Sequence, residues 1–251
     1  MKGVFKTDQG QVRNHNEDCG GLFYNQKGEL LAIIADGMGG HQAGDVASQM
    51  ATAFVRKQWE QTGDFSSSEA IENWLYETAS DVNEALLEHA RENEDCAGMG
   101  TTAVMAVCSD IYAVISHIGD SRLYVWNEHG LSQVTEDHSL VNELVRSGQI
   151  SKDDAEYHPR KNVLLKALGT EEYATAETQT IVWRTGDKLL LCSDGLTNKL
   201  HDNEIHSYLQ NDQSIDVTAE ELINLANERG GEDNISLIIV QHDVSGKAGG
   251  S

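Results

Sequence analysis

Four aspartates of this chain stand where apolar runs stop or start. Leu31-Ala32-Ile33-Ile34-Ala35 leads into Asp36-Gly37-Met38-Gly39-Gly40, and Ile111 to Ile118 leads into Gly119-Asp120-Ser121. Lys188 to Cys192 leads into Ser193-Asp194-Gly195, and Gly230-Gly231-Glu232-Asp233-Asn234 directly precedes Ile235 to Val240. Asp and Gly are ordinary turn residues after strands, so a single pair carries little information. Several strand ends meeting on one rim are different, because their charges repel. Two unit charges about 4 Å apart cost roughly 4 kcal/mol at an effective dielectric near 20. Divalent cations remove that cost, and ligands that are all oxygen suit Mg²⁺ or Mn²⁺. The adjacent glycines let a backbone carbonyl approach an ion where a Cβ would interfere.

A fifth group precedes these four. The segment Thr7 to Asp18 places Arg13 shortly before the paired acids Glu17 and Asp18. Arg13 and Glu17 have the spacing of a helical surface ion pair, worth only tenths of a kcal/mol. Beside a metal centre, the same guanidinium is a bidentate clamp for phosphate. Other phosphate chemistries find no support: there is no Walker loop, and none of Cys19, Cys96, Cys108 and Cys192 has an arginine at the spacing of a thiol phosphatase. The expectation is a metal-dependent phosphoester hydrolase whose aspartates hold a pair of divalent cations.

The elements that must position these residues are short. Apolar runs predict buried strands over Leu30–Ala35, Thr102–Cys108, Ile111–Ile118, Arg122–Trp126, Lys188–Cys192 and Ile235–Gln241. Helical spacing marks Asp45–Trp59, Glu69–Asn93, Ser139–Ser147, Asp202–Gln210 and Val217–Arg229. Strands in hairpin-like succession favour antiparallel sheets, packed sheet on sheet with helices outside, over a Rossmann-type sheet. The 251 residues, with one proline and no repeat, suit a single domain. The net charge of -23 argues against nucleic acid and anionic membranes as partners. No apolar run approaches membrane-spanning length, the N-terminus lacks a signal-peptide core, and the cysteines show no zinc spacing, which together suggest the cytoplasm. The segment 244–251 is small and polar and reads as a disordered tail.

Taken in order, RNHNED, ADGMGGHQAGDVAS, GMGTT, HIGDSRLY, TEDHSLVNELVRSGQI, HPRKNVLLKALG, GDKLLLCSDGLTN and GGEDNIS resemble the type 2C (PPM) metal-dependent serine/threonine protein phosphatases. The resemblance is to the bacterial, Gram-positive catalytic-domain form and runs from about Phe5 to Gln241. It implies an α+β fold, a central β-sandwich of two antiparallel sheets flanked by helices in four αββα layers, over 1–243. It also implies ligand roles: Asp36 bridging two core metals, the Gly37 carbonyl on one of them, and Asp194 and Asp233 as further ligands. Asp18 stands at the centre's edge, with Glu17 in support. Asp120, with Asp194, resembles the ligand of a third, weaker ion. Arg13 matches the phosphate-binding arginine, and 149–169, including His158, resembles the mobile flap. Within that flap, Lys152, Asp153 and Asp154 read as a solvated loop.

One departure matters. Where human-type members carry a histidine after Asp-Gly, this chain has Met38, as bacterial members commonly do. The proton donor to the leaving group is therefore unassigned, with His41 or a metal-bound water as candidates. The expected partners are phosphorylated proteins, including a cognate membrane serine/threonine kinase, with no nucleic acid, no membrane insertion and a monomeric state. The alternatives are a metallohydrolase of small phosphoesters and a silent phosphatase-like binding module; the latter would be expected to have lost metal aspartates, which are all present.

Overall fold

The computed structural model describes residues 1–40 and 43–243. Two antiparallel sheets dominate it. In the first, β1 (Lys2–Asp8) pairs with β11 (Ile235–Gln241), then β10 (Lys188–Cys192), β7 (Arg122–Asn127) and β8 (Gly130–Gln133). In the second, the order is β2 (Asp18–Tyr24), β3 (Leu30–Met38), β5 (Ala103–Cys108), β6 (Tyr112–Ile118) and β9 (Glu177–Val182), with the two-residue β4 (Gly100–Thr101) pairing with the end of β3.

Side-chain alternation explains how the layers form. Along β3, Leu30, Ala32 and Ile34 point between the sheets, where they meet Leu123, Leu189, Leu191, Ile238 and Val240. Leu31 and Ile33 point the other way, into a second core under α1 (Ala43–Trp59) and α2 (Ser68–Glu92). A strand buried on both faces reads as a continuous apolar run, which is why these strands are visible in the sequence. On the opposite side, α6 (Asp202–Gln210) and α7 (Ile215–Glu228) cover the first sheet through Ile205, Leu209, Leu222 and Ala226. The four-layer αββα sandwich expected from the sequence is what forms.

The remaining helices are small. The expected helix after Ser139 is α3 (Leu140–Arg146), with the Ser139 hydroxyl accepting from the Asn142 N–H. Lys152, Asp153 and Asp154 were expected in a loop and instead lie in α4 (Lys152–Glu156), where Ser151 and Asp154 form a reciprocal capping box. They are exposed, so their solvation is as expected; only the backbone differs. A four-residue helix, α5 (Asp194–Thr197), follows β10. His41 and the tail 244–251 lie outside the described residues. Among the described residues, no helix is long and apolar enough to cross a membrane.

Candidate active site

The strand register brings the aspartates to one end of the sandwich. Asp18 opens β2 directly opposite Asp36 on β3. Asp194 follows β10, Asp120 follows β6, and Asp233 precedes β11. Asp18, Asp120, Asp194 and Asp233 all act electrostatically on Asp36, whose carboxyl is held well above the usual carboxylate range, first by burial and then by these four charges. Burial and neighbouring aspartates also push Asp18 and Asp120 up to about 7 and Asp194 up to about 6. The sequence's separate turn aspartates are thus one cluster, in the energetically strained state that clustering predicts.

Particular neighbours hold these aspartates, by carboxylate or by backbone. The Ser193 hydroxyl donates to Asp18 Oδ2 at 2.8 Å, while Asp18 Oδ1 is buried with no hydrogen-bond partner. The Asn198 amide donates to Asp194 Oδ2 at 2.9 Å. The Asp36 N–H donates to the Thr102 hydroxyl oxygen at 3.0 Å, and Thr102 Oγ1 lies 2.7 Å from Ser121 Oγ, beside Asp120. Gly37 is wedged under the start of α1, where an added Cβ would collide with the Gly44 carbonyl oxygen. Its N–H donates to the Glu17 carbonyl at 3.0 Å. An orphaned buried carboxylate oxygen, a set of oxygen donors and excess negative charge together fit hard divalent cations.

Arg13 is not on a helix, and its expected pairing with Glu17 is only a loose 3.9 Å contact. Its main partner is Asp233, through Nη2 to Oδ2 at 2.8 Å. The guanidinium therefore sits at the edge of the acid cluster rather than on a remote surface. Asn234, quoted in the GGEDNIS motif but given no role from sequence, fixes that loop. Its Oδ1 accepts the Glu17 N–H at 2.8 Å, and its Nδ2 donates to the Gln9 and His15 carbonyls at 2.8 and 2.9 Å. Ser193, Thr102 and Asn234 went unrecognised in the sequence because their partners are far away along the chain.

The flap segment 149–169 is held where Leu168 pairs with Thr101, and by two further anchors. Asn83, a buried amide in the middle of α2, accepts from the Gly169 N–H at 2.7 Å and donates to the Glu171 carbonyl at 3.0 Å. The second anchor is the Asp137-His138-Ser139 segment, through Leu165 N–H to His138 O at 2.7 Å and a bridge from Ser139 to Leu164. His158 is partly exposed on the flap, and its ring Nδ1 accepts the Arg160 N–H at 3.1 Å.

One other group of metal-type ligands lies together among the described residues: His117, His138 and Glu177, with ligand atoms within 4.8 Å. It does not form a metal site in this arrangement. The two imidazoles stack at 4.7 Å with 10° between planes, whereas an imidazole-bound ion lies in the ring plane at about 2.0–2.1 Å. The Gly119 N–H also points at His138 Nδ1 at 3.1 Å, so the proton of the neutral ring is on Nε2, facing Glu177.

Comparison with known proteins places the chain in a family. The protein phosphatase 2C family model matches residues 9–235. The serine/threonine phosphatase stp of Listeria monocytogenes is 46% identical over 247 residues, covering 98% of both chains. The crystal structure of serine/threonine phosphatase Stp1 from Staphylococcus aureus superposes with a TM-score of 0.92 at 40% identity, covering 96% of this chain and 94% of that one. The catalytic domain of the serine/threonine protein phosphatase PstP, solved with 2 manganese ions, matches with a TM-score of 0.82 at 30% identity, covering 96% and 97%. The chain belongs to the protein phosphatase 2C family.

Proposed function

We propose that Asp36, Asp194 and Asp233, with the Gly37 carbonyl, hold two core cations, that Asp18 completes their edge, and that Asp120 with Asp194 holds a third, weaker one. The observation that carries this reading is the pairing of Asp18 with Asp36: a buried and a partly buried carboxylate in register, with one Asp18 oxygen that no described residue satisfies. Divalent ions at such a cluster supply Lewis acidity, activating water near neutral pH and neutralising phosphoryl oxygens.

The protein's own groups do the rest. Arg13 orients the phosphoryl group and offsets its growing equatorial charge, held in place by Asp233 through one nitrogen. Ser193 and Asn198 hold the Asp18 and Asp194 carboxylates, and Thr102 holds the Asp36 backbone, so that little reorganisation is needed during turnover. A covalent thiol route has no candidate among the buried cysteines: burial pushes the thiols of Cys108 and Cys192 up to about 12. Met38 has no proton to donate to the leaving alkoxide, and His41 lies outside the described residues, so the donor stays between His41 and a metal-bound water.

The substrates are phosphoserine and phosphothreonine proteins in the cytoplasm, among them a membrane serine/threonine kinase of the same cell, and the enzyme acts as a monomer of one domain, 1–243. The acidic surface of the chain disfavours nucleic acid. Purified protein with Mn²⁺ should release phosphate from phosphoserine and phosphothreonine peptides and from para-nitrophenyl phosphate. EDTA should abolish this and Mn²⁺ restore it. Activity surviving thorough chelation would remove the metal reading, and turnover of small esters alone would remove the phosphoprotein one.

A further inference from the structure

His138 holds the residue before Asp120 from two sides. Its backbone N–H donates to the Gly119 carbonyl at 2.9 Å, and its Nδ1 accepts the Gly119 N–H at 3.1 Å. Gly119 has φ +106, a conformation that favours glycine, and an added Cβ there would press on the Thr102 side chain at 2.5 Å. The turn that aims Asp120 is therefore fixed by hydrogen bonds to one residue far along the chain. The neighbouring Asp137 grips the other side of the same turn, through Arg122 Nε at 2.9 Å and Nη2 at 2.7 Å.

The same His138 also supports the flap. Its carbonyl accepts the Leu165 N–H at 2.7 Å. Its Nε2 lies 3.0 Å from Glu177 Oε1, and that same oxygen accepts from Lys166 Nζ at 3.2 Å. Lys166 belongs to the flap, and Glu177 lies on the edge strand β9. The ring of His117 stacks flat on His138, with its own Nε2 2.9 Å from the Glu136 carbonyl, so the imidazole has little freedom to tilt. One side chain thus bridges the Asp120 turn and the flap base.

We propose that His138 and Glu177 are positioning residues that couple the Asp120 arm of the site to the flap, so that cation binding at Asp120 and the arrangement of 149–169 change together. This rests on the reading of Asp120 as a cation ligand. The physical reason is that the Gly119 turn and the flap backbone at Leu165 share one rigid partner: moving either pulls His138, and Glu177 passes the displacement to Lys166. Coupling of this kind needs a shared element with more than one arrangement, not a long wire of contacts.

Exposed Arg160 and Lys161 make the flap a reporter, because trypsin cuts after both. The full chain, titrated with Mn²⁺, is digested briefly and cleavage at these two bonds is quantified, while calorimetry counts bound ions. In the natural protein, cleavage should change at least threefold over the Mn²⁺ range that fills the weakest site, and Asp120→Ala should lack both that ion and that change. Glu177→Ala, at a half-exposed position that tolerates truncation, should still bind the ion but lose most of the cleavage response. Glu177→Gln, which keeps an acceptor oxygen, should restore it, a rescue that a merely structural role would not give. If Asp120→Ala loses its ion while Glu177→Ala keeps the natural response, the coupling is overturned and the ligand reading stands. If Asp120→Ala binds as many ions as the natural protein, the ligand reading falls and takes the coupling with it.

Discussion

Two groups of largely buried charges lie side by side in this molecule, and they solve the same problem differently. Arg122 and Asp137 form a forked pair: Nε and Nη2 meet the carboxylate at 2.7–2.9 Å, and the free nitrogen Nη1 reaches the Tyr124 hydroxyl at 3.2 Å. Charge is balanced there, and the donors are used. Asp18 and Asp36 face each other, and among the described residues one Asp18 oxygen has no partner. Burial raises these carboxyls, whereas the Arg122 pair carries its own counter-charge. The closed pair is structural and complete; the open cluster is complete only with ions from solution.

Breaking the open cluster should cost function and spare the fold. Asp36→Ala should lower turnover by about a thousandfold or more, because the position shared by both core ions is lost. Its metal-free thermal midpoint should be unchanged or higher, since a repelling charge is removed. A lower midpoint would mean that Asp36 is structural. Asp120→Ala should fold, keep two tightly bound ions by calorimetry, and lose about ten- to a hundredfold in turnover, the usual effect of disturbing an outer metal-site residue. Wild-type turnover would reduce Asp120 to a turn residue after β6.

Breaking the closed pair should do the reverse. Asp137→Ala leaves the Arg122 guanidinium poorly paired and should cost about 2 kcal/mol of stability by chemical denaturation. An unchanged denaturation midpoint would contradict the contrast drawn between the two groups. Arg13 lies between the two types, exposed yet bonded to Asp233. Arg13→Ala should lower kcat/KM by about tenfold with the fold intact, weaken inhibition by phosphate, and be rescued only in part by Arg13→Lys, which lacks the fork. Unaltered kinetics would make it a surface ion-pair partner.

The contrast also explains what the sequence could and could not reveal. Strands β3, β5, β6, β10 and β11 are buried on both faces and appear as apolar runs, so their ends, and with them Asp36, Asp120, Asp194 and Asp233, were readable. Strands β2 and β9 gave no such signal. β2 carries Gly20 and Gly21, and β9 is a half-exposed edge strand with the polar run Glu177 to Thr180. Asp18 was consequently recognised by family resemblance alone, although its register with Asp36 is the most informative contact in the site. Arg13 with Asp233, separated by 220 residues, and Ser193 with Asp18, separated by 175, depend on tertiary packing that no local pattern encodes. The short α4 gives no signal for a different reason: its five residues carry a single alanine and no apolar stripe to mark them.

The central claim is that the folded protein gathers carboxylates that only cations can neutralise. In the metal-free protein, Asp18 and Asp120 are pushed up to about 7 and Asp194 to about 6, all above the unfolded value of 3.8. The folded state then holds more protons than the unfolded state between about pH 4 and pH 7, so stability falls as pH rises through that window. The decisive measurement is the thermal midpoint of chelator-treated protein from pH 5 to pH 8, with and without saturating Mn²⁺. The metal-free midpoint should fall as pH rises, and Mn²⁺ should raise it most at pH 8, where the carboxylates are ionised and free to bind. A metal-free midpoint that rises with pH, or one that Mn²⁺ leaves unmoved at pH 8, would contradict the account.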